Sequence, residues 1–521
     1  MRITWVLAGV GGLSAAVASA STQFTVILNQ DQVVGGSEVD LTQAVNGQVV
    51  AGTNGQVGLI GSDSNGNPLV LYYDGTNWST VMAGGDSVNG DTVEQFANLA
   101  ISGNQSNGSG TRLTYVGINN DNSDAGVFQY DAGSAGPQEV AFDGENGGIG
   151  TLTIPEYYSG DSEPGAFLPI EVDAAGNVVF DPYNSSGNVL LVVGNITATH
   201  VQTLAFTSNP TSDGSAGSYT VYQAPDRLGI STDATGATTF ALLNSPASSN
   251  NTSLYSVTGG TPTNFASGSS ANLLLAVQQD TATGVNAALF EGPDPNTETF
   301  PNTNDVILHD SSGNHLLQRA ANNTAYGVPD AAEMTTGGNL AYYVPTNSGG
   351  ALEYYSLSTN TYSPTQVAAV GTAVINPFTS GNYEITQLSE TLAAPMVNNS
   401  GLVVFDALVA PTSDPSESFQ ALLDWNGTGS PTVLLYAGED IAGYGDIDPD
   451  GIEINSLVDQ SDVFKDSLSD QGYLTVMATF DDDSEEAVLQ TQLASVPEPA
   501  SLAMLPVAGA FLMRRRRRLA Q

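Results

Sequence analysis

Between residues 21 and 495 the chain alternates short apolar runs with turns rich in Gly, Asn, Asp and Ser. Leu69–Tyr73 is followed by Thr80–Met82, residues 189–193 by 201–206, and Ala421–Trp425 by Thr432–Tyr436. Runs this short, rich in β-branched and aromatic residues and bounded by turn formers, predict strands. No stretch of this body carries an apolar period of 3.6, so no helix is expected there.

The pattern has a longer repeat. Asp173-Ala-Ala-Gly176-Asn-Val-Val-Phe180 returns as Asp233-Ala-Thr-Gly236-Ala-Thr-Thr-Phe240 and as Asn398-Asn-Ser-Gly401-Leu-Val-Val-Phe405. Looser copies are Asn107 with Gly110, Thr281 with Gly284, Thr335 with Gly338 and Tyr342, Ser469 with Gly472, and a first copy centred on Gly55. In each, the Asx or hydroxyl side chain starts a turn, Gly supplies a positive φ, and the strand that follows ends on a core residue. The segments 73–86 and 425–440 also rhyme: strand, Gly turn, strand, then a Gly-rich acidic corner. Three or four strands per repeat, seven or eight times over, predict an all-β domain over 21–495, a β-propeller-like ring of seven to eight blades. An array of β-sandwich units is the alternative. The repeat resembles the tandem-repeat family called choice-of-anchor proteins with an NxxGxxxF motif; the resemblance runs over most of 50–493, implying this fold and an envelope location but no reaction.

The two ends read differently. Residues 1–20 hold Arg2, an apolar run and the small residues Ala18 and Ala20, the layout of a signal peptide cleaved after Ala20. Residues 496–521 hold Val496-Pro497-Glu498-Pro499, an apolar segment, then Arg514, Arg515, Arg516, Arg517 and Arg518. As a short hydrophobic helix of about 21 Å, that segment spans a core of about 30 Å only marginally, with the arginines left on the cytoplasmic side. The order resembles the PEP-CTERM sorting signal. That resemblance implies an exosortase that recognises Pro-Glu-Pro, a signal peptidase at the other end, transient inner-membrane association, and then release to the cell surface or beyond.

Composition sharpens the picture. Of ten Lys and Arg, only Arg112, Arg227, Arg319 and Lys465 lie in the body, against 54 Asp and Glu of which all but Glu498 are there, and the whole chain carries a formal net charge of −44. No cationic face exists to neutralise phosphates, so nucleic acid is excluded as a partner. Cysteine is absent, which excludes disulfides and thiolate metal sites. Such charge suits solubility outside the cell, and salt-rich surroundings.

Candidate chemistry is sparse. Asp446, Asp448, Asp450 and Glu453 alternate around Gly451 and resemble the start of a calcium loop, although Leu457 stands where the usual bidentate Glu would be. A solvated acidic loop is the other reading. Residues 481–486 read as a solvated turn between strands, and Asn119 to Asp124 as another oxygen-rich loop. His200, His309 and His315 read as surface histidines. Tyr72, Tyr73, Trp78, Trp425 and Tyr436 could stack on sugars, but their place in the strand repeats favours packing. No catalytic residue stands out. The sequence therefore points to an exported envelope or matrix protein, a non-enzymatic scaffold with exopolysaccharide or other envelope components as partners. Its alternatives are a carbohydrate-active enzyme with paired carboxylates and a calcium-dependent adhesin.

Overall fold

The structure is a computed structural model that describes residues 24–41, 49–52, 54–101, 111–119, 125–142, 152–153, 170–172, 176–180, 183–184, 190–194, 202–206, 220–221, 230–233, 236–244, 252–258, 261–264, 273–277, 287–292, 305–318, 332–335, 337–344, 350–359, 361–379, 381–388, 395–441, 444–453, 468–480 and 486–493. The signal-like and sorting-like ends lie outside these residues. Apart from one 3₁₀ turn, Leu357–Thr359, every regular element described is a strand.

The described strands form eight antiparallel sheets of four to six strands, plus a two-stranded ladder of Leu152–Thr153 with Tyr183–Asn184. The eight sheets are successive blades: residues 33–83, 87–142, 170–206, 220–264, 273–318, 332–369, 373–436, and 440–492 joined by Thr25–Asn29. In each blade the chain meanders from an inner to an outer strand and then crosses to the next. Blade 8 takes its outer strand from the other end of the chain: Thr25–Asn29 pairs antiparallel with Glu486–Gln492, Thr25 opposite Gln490. That pairing closes the ring.

Blades pack face to face, and the cores lie between them. Val404, Leu422 and Leu434 of blade 7 meet Leu474, Val476 and Phe480 of blade 8. On the opposite side Val403, Phe405 and Leu423 meet Ala341, Tyr343 and Leu352 of blade 6. Leu28, Met477 and Val488 of blade 8 pack on Val57, Leu59 and Leu71 of blade 1. Successive residues of a strand point to opposite faces, and here both faces are covered. The second strand of blade 7, Val403–Pro411, is accordingly an almost unbroken apolar run rather than an alternating one. Burial of each large side chain, such as Phe405 or Phe180 at 0% exposure, stabilises by about 2–3 kcal/mol.

The repeated glycines fall one per blade between the inner and second strands. Gly55, Gly176, Gly338, Gly401 and Gly472 have φ of 78, 80, 76, 81 and 81°, the left-handed conformation the motif predicts. The turn is the same at four of them. Gly401 N–H donates to Asn398 O at 2.9 Å and Asn398 N–H to Leu402 O at 3.1 Å; Gly472 and Ser469, Gly338 and Thr335, and Gly55 and Gly52 repeat this pair of bonds. The Asn398 side-chain oxygen also accepts from the backbone N–H of Ser400 and Leu402, at 3.0 and 3.1 Å. Gly110 and Gly284 lie outside the described residues, and Gly236 opens the second strand of blade 4.

Candidate functional site

An antiparallel meander puts its first and third turns at one end of the blade and its second turn, with the crossover to the next blade, at the other. The N-x-x-G turns therefore share one face of the ring, and the crossovers share the opposite, connector face.

Four crossovers are built alike, and they occupy four consecutive junctions, from blade 6 through 7, 8 and 1 to blade 2. Each begins with a left-handed residue, at Asp31, Gly85, Gly371 and Gly438, with φ of 66, 91, 86 and 89°. The N–H of that residue donates to the carbonyl of Val39, Val93, Ile385 or Ile447, and the amide of the same acceptor residue bonds back to Gln32, Asp86, Thr372 or Glu439, all at 2.7–3.0 Å. Between the two ends lies a small hairpin: Val33–Val34 with Ser37–Glu38, Ser87–Val88 with Asp91–Thr92, Ala373–Val374 with Tyr383–Glu384, and Asp440–Ile441 with Gly445–Asp446. The rhyming acidic corners after residues 83 and 436 are two of these crossovers. Among the described residues the large exposed hydrophobics are Val33 at 66%, Val370 at 38% and Ile375 at 51%, and all three lie in crossovers.

The calcium-loop candidate enters this face. Gly445–Glu453 leads from the hairpin into blade 8 as a strand, with Ile447 opposite Phe480 and Ile452 opposite Ala478. The register slips between those two pairs, so the stretch carrying Asp448 and Asp450 bulges from the ladder. Asp446 is exposed, and the side chains of Asp448, Asp450 and Glu453 lie outside the described residues, as do residues 120–124 and 481–485.

Blade 7 adds aromatic rings at the same end. Phe378 and Tyr383 come from its crossover, Phe419 from the start of its third strand and Tyr436 from the end of its outer strand. Ring centroids are 5.3 Å apart for Phe378–Tyr436, 5.6 Å for Phe419–Tyr436 and 6.0 Å for Tyr383–Phe419. All four are half-buried against the core shared by blades 6 and 7. Thr379 Oγ1 donates to the Tyr383 hydroxyl at 2.7 Å. Burial, and then Glu439, Asp446 and Tyr383, raise the Tyr436 hydroxyl. Burial pushes the Glu439 carboxyl up to about 7, and its Oε2 has no hydrogen-bond partner among the described residues.

Of the rings singled out from sequence, Tyr72 and Trp425 are core residues, 4% exposed each, and Trp78 donates from Nε1 to Ile27 O of blade 8 at 2.7 Å. Tyr436 alone joins the group of four. Phe378, Tyr383 and Phe419 escaped sequence reasoning because the crossover, the third strand and the outer strand that carry the group are separated in the chain; an aromatic at each end-of-strand position of one repeat was the only signal.

The histidine reading needs correction at His309. It is buried, 6% exposed, with Nδ1 2.8 Å from Asn314 Oδ1, and burial lowers its affinity for protons. His315 belongs to a cluster joining the third turns of blades 5 and 6, on the face opposite the crossovers. Ser312 Oγ lies 2.7 Å from Asp310 Oδ1, 2.8 Å from His315 Nε2 and 2.7 Å from the Tyr362 hydroxyl. Tyr362 donates to Asp310 Oδ2 at 3.0 Å and stacks on the His315 ring with centroids 3.5 Å apart. Burial alone would raise Asp310, but the hydrogen bonds from Ser312 and Tyr362 and the charge of His315 outweigh it and hold the carboxyl low. The same His315 nitrogen faces both Ser312 and, at 3.3 Å, Asp310. A hydrolytic relay needs opposite ring nitrogens for the nucleophile and the orienting acid, so this is an inter-blade clip.

No family model matches the chain, and no curated protein sequence matches it. Among solved structures it is similar to the β-propeller domain of the Trilobed protease from Pyrococcus furiosus, at 9% identity over 75% of this chain and 96% of that one, with a TM-score of 0.38. It is also similar to Sqt1 from Saccharomyces cerevisiae, at 11% identity over 89% and 100% with a TM-score of 0.38. A third is the α-L-arabinanase from Penicillium chrysogenum complexed with arabinobiose, at 11% identity over 91% and 99% with a TM-score of 0.27. The fold assignment rests on the order of the strands in this chain's own sheets.

Proposed function

We propose that this is an exported cell-envelope or matrix component, sorted through its Pro-Glu-Pro tail by an exosortase-type system, acting as a non-enzymatic interaction scaffold. The reading of the ends supports delivery. One observation carries the scaffold: hairpin crossovers of one construction stand at four consecutive junctions, and the large exposed hydrophobics among the described residues, Val33, Val370 and Ile375, all lie in two of them. Apolar groups left in water on hydrogen-bonded, rigid hairpins suit capture of a partner rather than turnover of a substrate.

The test is capture of envelope fragments by the intact protein, compared with a variant in which Val33, Val370 and Ile375 are changed to Ser. Loss of capture with unchanged melting temperature supports the scaffold; equal capture overturns it. Deleting 496–521 should leave the protein unprocessed and misplaced, read by fractionation and mass spectrometry.

Glu439 favours one second reading. A carboxyl that burial keeps protonated up to about 7 is what a general acid in glycoside cleavage needs. Appearance of new reducing ends on incubation with polysaccharides, lost in Glu439→Gln, would establish the enzyme and sink the scaffold.

A further inference from the structure

Resting on the scaffold reading, we propose that the four rings Phe378, Tyr383, Phe419 and Tyr436 form a shelf that binds a polysaccharide chain without acidic groups. The shelf is assembled from three separate parts of blade 7, with neighbouring centroids 5.3–6.0 Å apart. Each ring is half-buried against the core shared by blades 6 and 7, with neighbouring ring planes inclined at 46, 60 and 71° and part of each ring left exposed. Sugar rings have an apolar C–H face and a rim of hydroxyls. Aromatic faces take the former, and the Tyr383 and Tyr436 hydroxyls with Glu439 and Asp446, which lie close to Tyr436, take the latter.

Charge selects among glycans. The acidic side chains that lie close to Tyr436 are Glu439 and Asp446, and residues 370–446 contain no Lys or Arg to offset them. A uronate, sulfated or phosphorylated chain would bring like charge against this rim, on a protein of formal net charge −44, and is repelled. An acyl chain or an apolar helix would need a continuous apolar trough, whereas here carboxylates and hydroxyls edge the rings.

The intact protein is tested for retention on an insoluble neutral β-glucan, on xylan and on alginate beads. The wild type should be held by a neutral glycan and pass freely over alginate. Phe378→Ala with Tyr436→Ala should weaken retention at least tenfold, and Tyr436→Phe, which keeps the ring, should weaken it no more than threefold. Should the double variant lose its fold, saturation transfer from aromatic protons of the wild type to a soluble neutral gluco-oligosaccharide decides instead, and absence of transfer overturns the shelf. Equal retention of a folded double variant, preference for alginate, or no retention on any neutral glycan also overturns it. The scaffold fails separately, through envelope-fragment capture that ignores the crossover variants or through release of reducing ends.

Discussion

Gly401 shows how much one position of the repeat asks of its residue. Its φ of 81° is disfavoured for any side chain, and an added Cβ would lie 2.8 Å from the Tyr354 hydroxyl of the neighbouring blade. Gly427 has a similar φ, 92°, with no atom of the described residues within 4 Å of its Cβ position. Gly401→Ala should therefore cost about 2–3 kcal/mol and Gly427→Ala about 1 kcal/mol, measured by denaturant unfolding. Asp406 is the opposite kind of residue, a carboxyl where the strand pattern calls for an apolar side chain. It is 1% exposed; burial drives its pKa up to about 7 against a hydrogen bond of 2.6 Å from Gln420 Nε2. A folded-state pKa above the unfolded value of 3.8 gives stability that is complete below pH 4 and is lost as pH rises through about 7. Asp406→Asn, which copies the protonated form, should match the wild type near pH 4 and exceed it at pH 8, by on the order of 4 kcal/mol at most. A thermal-melt difference between the two proteins that does not change with pH would refute this.

Among elements, the blades are held to each other by polar contacts at the turns as well as by their cores. Gln490 Nε2 of blade 8 donates to Thr475 Oγ1 at 3.1 Å and to Gly55 O of blade 1 at 3.2 Å; Gln129 of blade 2 does the same with Thr114 and with Gly176 O of blade 3, at 3.0 and 3.2 Å. The same Thr and Gln positions of two blades thus clasp the motif glycine of the next. This explains why the turn is the best-preserved part of the repeat: it serves its own hairpin and its neighbour's grip. Gln490→Ala should cost about 1–2 kcal/mol, chiefly by leaving the Gly55 carbonyl less well satisfied. Tyr362→Phe, which takes a hydroxyl from both Ser312 and Asp310, should cost a similar amount, read as a lower melting temperature. For the strand Gly445–Glu453, calorimetry with millimolar calcium separates the two readings of its carboxylates: heat and a raised melting temperature for a metal site, neither for a solvated bulge.

For the whole molecule, the decisive element is the first strand. Leu28 is fully buried between blades 8 and 1, and Trp78 hydrogen-bonds to the Ile27 carbonyl. Deleting residues 24–29 opens the ring at this junction and exposes the edge of Glu486–Gln492. The expected result is a large loss of stability with self-association through that edge, seen by light scattering. Charge acts at the same scale. With 54 acidic against ten basic side chains, repulsion opposes compaction, and the melting temperature should rise as salt increases from millimolar to molar.

The amino-acid sequence by itself determined the strand class, the glycine hinge at five of its eight predicted places and the strands within most repeats, because turn chemistry and apolar runs are local properties. Thr432–Tyr436 is a strand within the bounds expected, and Gly176, Gly338, Gly401 and Gly472 hold the left-handed backbone their neighbours imply. Tertiary structure alone decided what lies across space. It closed the ring through Thr25–Asn29, buried His309 and set His315 in a clip with Tyr362, whose hydroxyl meets Ser312 fifty residues earlier in the chain. It also gathered Phe378, Tyr383, Phe419 and Tyr436 onto one face. The physical reason is that a blade's turns are encoded within a few residues, whereas a surface of the ring is composed from the ends of strands that the chain visits at different times.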